Sequence, residues 1–228
     1  MDFNNDGILD LVAGDTEGQV WFFKNIGTAK EPKLAAGVKM EAGGKVIKGV
    51  SATYEKGADG NSKLVANKKD MMGTYSKLHV TDWDGDGLLD VLVGQDSPQG
   101  QSNILFYRNV GTAKEPKLAE PVVLDILKQP MSRPSPYVVD WDGDGKRDVL
   151  LGMETNEVMF LKNTGTNEKP VFATPERIEL PGFDTKVYRC RIAVVDWNND
   201  GKLDLLVGTF FSEGQNQMGG NVWLFLRK

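Results

Sequence analysis

Four stretches of this chain set oxygen-bearing side chains at identical intervals, the arrangement a hard cation requires. They read DFNNDGILDLVAG from Asp2, DWDGDGLLDVLVG from Asp82, DWDGDGKRDVLLG from Asp140 and DWNNDGKLDLLVG from Asp196. In each, an acid or amide stands at positions 1, 3, 5 and 9 and a glycine at position 6. The candidate ligands are Asp2, Asn4, Asp6 and Asp10; Asp82, Asp84, Asp86 and Asp90; Asp140, Asp142, Asp144 and Asp148; and Asp196, Asn198, Asp200 and Asp204. A loop curled around an ion turns alternate side chains inward, and glycine tolerates the sharp turn. The backbone carbonyl of position 7 (Ile8, Leu88, Lys146, Lys202) is then expected to face the ion, with the position-9 carboxylate closing the shell.

The chemistry selects calcium, up to four ions. The donors are all oxygen, so zinc is disfavoured, and magnesium prefers a tight octahedron that keeps its own waters. One such loop alone reads equally well as a solvated Asp/Gly turn. Four in register do not, because close carboxylates repel one another without a cation. Loops two and three carry four carboxylates and loops one and four carry three with an asparagine, so tighter binding is expected at the second and third. Position 12, where an EF-hand places a bidentate glutamate, holds Ala13, Val93, Leu151 or Val207, and no helical pattern follows.

The elements that position the loops read as strands. Each loop runs into a short apolar segment ending in Gly14, Gly94, Gly152 or Gly208. A second apolar run follows: QVWFFKN from Gln19, NILFYRN from Asn103, EVMFLKN from Glu157 and NVWLFLR from Asn221. In the first three copies this run ends in a shared turn, NIGTAKEPKLA, NVGTAKEPKLA or NTGTNEKPVFA. A further apolar run precedes loops two to four, and a fourth is expected after the turn. Four short strands per unit of about 56 residues is the pattern of a propeller blade. The expected fold is all-β: a β-propeller, or a segment of one, of about four blades of four-stranded antiparallel sheet. The calcium loop would lie between the first and second strands of each blade.

The expected organisation is one repeat domain over residues 1–228. Blade one spans about 1–76 with an insertion at about 38–76, blade two about 77–131, blade three about 132–187 and blade four about 188–228. Met1 followed at once by ligand candidates reads as the edge of a longer chain. Formal net charge is −5, which disfavours nucleic acid as a partner. No run of residues is apolar enough to span a membrane. Cys190, the one cysteine, reads as a small core residue. His79, the one histidine, alternates with apolar neighbours and reads as structural. No catalytic constellation is visible, so no enzyme activity is expected. Trp83, Trp141, Trp197 and their equivalent Phe3, all at loop position 2, read as packing wedges between blades. Arg133 and Arg189 each stand seven residues before a loop aspartate, where they could meet an anionic ligand in a propeller's channel, although surface salt bridging is the favoured reading.

The DxDxDGxxD loop, the Leu/Val strand and the aromatic strand ending in the KN-x-GT turn together resemble the FG-GAP/VCBS-type repeats. These are similar to the calcium-binding blades of integrin α-subunits and of many secreted bacterial proteins. The resemblance covers nearly all of the chain outside about 38–76. It implies a propeller with one calcium per loop, an extracellular or periplasmic setting, and binding of a polysaccharide or protein in adhesion. The family's rings are usually larger than four blades, so the chain reads as part of a larger ring, with a small closed ring or a self-associating half-ring as alternatives. Two rival readings are part of a propeller-fold polysaccharide lyase and a purely structural repeat scaffold.

Overall fold

The computed structural model describes residues 1–49, 54–56, 62–64, 74–96, 103–124, 126, 133–183, 186–212 and 218–228. Among them there is no helix, and every strand pairing within the sheets is antiparallel. The chain forms two compact units, Met1–Asp125 and Ile126–Lys228.

The first unit holds the first two repeats. Leu11–Gly14, Val20–Phe23 and Val38–Lys39 make a three-stranded sheet. Thr74–Thr81, Asp90–Asp96, Asn103–Tyr107 and Val122–Leu124 make the full four-stranded unit in simple up-and-down order. Among the described residues the first repeat thus has three strands in its sheet where the second has four. Within the expected insertion, Glu41–Ala42 pairs with Lys45–Val46 and Tyr54–Lys56 pairs with Ser62–Leu64. The rest of that insertion, residues 50–53, 57–61 and 65–73, lies outside the described residues.

The second unit repeats the plan. Ser135–Val139, Asp148–Gly152, Val158–Leu161 and Glu176–Arg177 form the third sheet. In the fourth, Tyr188–Val195 and Val222–Phe225 flank Asp204–Ser212, and the short strand Met218–Gly219 pairs with the far end of the central strand.

The strands leaving the loops are the driest part of each unit. Val91, Leu92, Val93, Val149, Leu150 and Leu151 are all fully buried. A strand covered on both faces needs a continuous apolar run, which DVLVG and DVLLG supply. Around them lie two cores. One joins Phe3, Val12, Val20, Val91, Val93, Leu105 and Tyr107. The other joins Leu150, Val158, Cys190, Leu205 and Val207, so the faces of repeats three and four meet. Gly152 allows that approach, since a Cβ there would run into the backbone carbonyl of Cys190. Cys190 is wholly buried, its thiol donates to the Thr155 carbonyl, and burial pushes the thiol pKa up to about 11.

Candidate metal centres

Each loop is a nest of backbone amides wrapped around its first aspartate. In the third loop, Asp140 accepts from the amides of Gly143 and Gly145, both at 2.9 Å. In the second, Asp82 accepts from Gly85 at 2.7 Å and Gly87 at 3.0 Å. Asp2 accepts from Asp6 and Gly7 in the first loop, and Asp196 from Asp200 and Gly201 in the fourth. Position 3 (Asn4, Asp84, Asp142, Asn198) accepts from the amide of position 5. Position 5 (Asp6, Asp86, Asp144, Asp200) accepts from the amide of position 7, which is Ile8, Leu88, Lys146 or Lys202.

Two residues in every loop adopt left-handed backbone. At position 6, Gly7, Gly87, Gly145 and Gly201 have φ of 85–88°. At position 4, Asn5, Gly85, Gly143 and Asn199 have φ between 51° and 79°. Asparagine and glycine are the residues that enter this region most readily. The Asn/Gly alternation at position 4 was a signal in the sequence that ligand spacing alone did not use.

The position-9 aspartate is built into the hairpin. Asp90, Asp148 and Asp204 are fully buried and Asp10 nearly so. One oxygen of each accepts from the amide of the position-2 aromatic residue (Phe3, Trp83, Trp141, Trp197). The other accepts from the amide that ends the aromatic strand, at Asn25, Asn109, Asn163 or Arg227. The carboxylate therefore ties the loop to the far strand of its hairpin. Burial is the main cause that raises the Asp90 carboxyl to about 6, with Asp84 and Asp86 adding repulsion and the two amides opposing. Asp148 is raised for the same leading reason. The three asparagines then close the following turn: Asn25 Oδ1 accepts from Gly27 and Lys33, Asn109 Oδ1 from Gly111 and Lys117, and Asn163 Oδ1 from Gly165 and Val171.

Among the described residues, two groups of three carboxylates have ligand atoms within 4.8 Å of one another: Asp82, Asp84 and Asp86, and Asp140, Asp142 and Asp148. Either group could hold a metal ion. In the first and fourth loops an asparagine replaces one acid at position 3.

A cation from the neighbouring strand rests on three of the four loops. Lys24 Nζ lies 3.1 Å from Asp6. Arg108 reaches Asp84 at 2.6 Å and Asp86 at 3.0 Å. Lys162 contacts Asp142 and lies 3.1 Å from Asp144. The lysine contacts are the leading cause that holds the Asp6 and Asp144 carboxyls below their ordinary value. For Asp200 in the fourth loop the leading cause is the hydrogen bond from Asn198. The fourth repeat has Leu226 where the others have this base.

The position-2 aromatics differ in environment. Phe3 and Trp83 are buried, Trp141 is half-buried beneath the Arg227 guanidinium at 4.3 Å, and Trp197 is 58% exposed. Packing is thus what the first three do, while no described residue covers Trp197.

The sequence matches the FG-GAP-like repeat family twice, over residues 82–151 and 140–207, together more than half of the chain. The chain belongs to the FG-GAP-like repeat family. Its second, third and fourth FG-GAP repeats carry the candidate metal loops between two paired strands, as the third illustrates with Ser135–Val139, the Asp140 loop and Asp148–Gly152. Among solved structures it is similar to a chain of the Tc holotoxin pore of Photorhabdus luminescens, at 15% identity and a TM-score of 0.31. That alignment covers 99% of this chain and 12% of the other. No curated protein matches it.

Proposed function

We propose that this chain is a calcium-binding, non-catalytic module of propeller blades from a secreted or cell-surface protein, presenting a surface for a glycan or protein ligand. The observation that carries the reading is the gathering of three carboxylates within 4.8 Å in each of two FG-GAP loops. The donor set fits calcium, being all oxygen, flexible in number and partly drawn from backbone. Asp82, Asp84, Asp86 and Asp90 would hold one ion, and Asp140, Asp142, Asp144 and Asp148 another. Asp2, Asn4, Asp6 and Asp10, and Asp196, Asn198, Asp200 and Asp204, offer two further sites. The carbonyls of Ile8, Leu88, Lys146 and Lys202 complete this proposal. The ion supplies positive charge where carboxylates crowd. The chain supplies the amide nest that orients those carboxylates, and the buried position-9 aspartate that links loop to strand.

An ion that binds only the folded state stabilises it by about 2.7 kcal/mol per site at a concentration one hundred times its dissociation constant. The full chain, stripped with a chelator and melted at stepped calcium concentrations, is therefore expected to gain melting temperature with calcium and not with equal ionic strength of sodium. Protein that holds no calcium at millimolar concentrations by equilibrium dialysis, with an unchanged melt, would overturn the reading.

A further inference from the structure

The second unit carries a cluster of three arginines that the metal loops do not use. Arg133 Nη1 and Arg189 Nε both lie 3.1 Å from the same oxygen of Glu154. The other oxygen, Oε2, is buried with no hydrogen-bond partner among the described residues. Arg191, half-buried on the same strand, donates to the Cys190 carbonyl at 2.8 Å. Two guanidinium groups thus contact one carboxylate, and a third stands close enough to feel its charge. Burial is the leading cause that pushes the Arg191 guanidinium below its ordinary pKa, and the nearby Arg189 and Arg133 charges act the same way.

Local backbone explains why the cluster exists. Arg133 and Arg189 adopt left-handed φ of 47° and 61°, and Tyr75 at the equivalent position of the second repeat has 61°. In repeats two and four the strand pairing slips at this point, between Thr74 and Lys77 and between Tyr188 and Arg191. Non-glycine residues in this region are strained and are kept where the surroundings demand them. The bulge recurs, but only in the second unit does it present arginine.

Beside the cluster is a hollow of about 460 Å³ lined by Arg189, Arg191, Thr209, Phe210, Asn221 and Val222. The Arg189 guanidinium stacks 4.8 Å above the Phe210 ring, which fixes its fork. A planar fork matches a carboxylate in two parallel hydrogen bonds. The exposed Asn221 adds a neutral side-chain amide at the rim, while the buried Thr209 hydroxyl donates to the Asn221 carbonyl at 3.3 Å. The chain as a whole is acidic, at −5, so attraction of a carboxylate here is local to the arginines.

We infer that the hollow beside Arg189 and Arg191 is a binding subsite for the carboxylate of an acidic saccharide, with the exposed Asn221 side chain available to its hydroxyls. This deepens the binding-module reading and rests on it. Asp196 lies seven residue steps after Arg189, roughly 23 Å at strand rise, so the subsite is separate from the fourth candidate metal loop.

The test is titration calorimetry of the full chain with trigalacturonate at saturating calcium. The expected result is binding that weakens with salt, is absent for neutral galactotriose, and drops at least about tenfold in Arg191→Lys, which keeps the charge and loses the fork. Arg189→Gln is expected to abolish it, with the melt of each variant verifying its fold. No binding, or binding that both variants retain, overturns the proposal. So does equal or tighter binding of a glutamate tripeptide, which would assign the site to acidic peptide. The calcium-dependent melt reports independently on the metal loops, so failure of the saccharide to bind leaves that reading distinguishable.

Discussion

The third and fourth FG-GAP repeats share sequence pattern and strand register, yet they differ in what surrounds them. Val158 in the third aromatic strand is fully buried, while its equivalent Val222 in the fourth is 75% exposed. The same contrast runs through Trp141 and Trp197, and through Val139 and Val195. The covered face of the third repeat packs on Cys190, Ile192 and Val194 of the next one. Burial in this family is therefore a property of the stack and not of the repeat. Repeats three and four carry the same apolar pattern, but among the described residues only the third has that face covered.

The comparison breaks most visibly if a charge is placed on each face. Val158→Asp buries a carboxylate with no partner and is expected to cost about 3–5 kcal/mol. Val222→Asp is expected to stay within about 0.5 kcal/mol. Urea denaturation of both variants in chelator reads the difference directly. Equal losses would mean the fourth face is covered in solution, and analytical ultracentrifugation of the parent chain would then show self-association.

A second contrast concerns the position-9 aspartates, Asp148 and Asp204. Both are fully buried and both accept two backbone amides. In the third repeat one of those amides belongs to the wholly buried Asn163. In the fourth the amides belong to Trp197, beside solvent, and to the half-buried Arg227. Asp148→Ala is expected to cost about 2–4 kcal/mol, because its amides are stranded away from water. Asp204→Ala is expected to cost about half that, since water reaches its donors. Thermal melts in chelator separate this structural loss from any loss of metal.

These aspartates also mark how far the sequence could be read. The loops, the strands that leave them, the absence of helix and the burial of Cys190 all followed from spacing and apolar runs, since each is set by neighbours a few residues apart. What did not follow depends on hairpin register. Asp148 meets the Asn163 amide and Asp142 meets Lys162 only because Val149 stands opposite Leu161. The recurring basic-residue–asparagine doublet at the end of the aromatic strand was the available signal, and it read as a turn rather than as a partner of the loop. Arg133 and Arg189 were legible as a pair by their spacing, but Glu154, which they share, and Arg191 beside them were not. The three-stranded first sheet and the altered fourth follow from the loops and runs that the sequence supplies at its two ends.

The smallest contrast bears on affinity. By carboxylate count the third loop should bind a divalent ion more tightly than the fourth. Lys162, resting on Asp142 and Asp144, offsets the extra acid, whereas the fourth loop has Leu226 at that place. Both loops carry a lysine at position 7, so the charges facing an ion come out even. Exchanging the two residues separates the terms. Lys162→Leu is expected to tighten calcium at the third loop, and Leu226→Lys to weaken it at the fourth, each by roughly three- to tenfold, the scale of one unit charge acting on a divalent ion across a solvated gap. The amide resonances of Gly145 and Gly201, which donate to Asp140 and Asp196, report each loop separately during a calcium titration. Parallel shifts in both directions would make the strand-borne cation a tuner of its cage. Unmoved midpoints would mean that Lys162 swings clear at no expense when the ion arrives, leaving carboxylate number as the determinant and restoring the expected order of the loops.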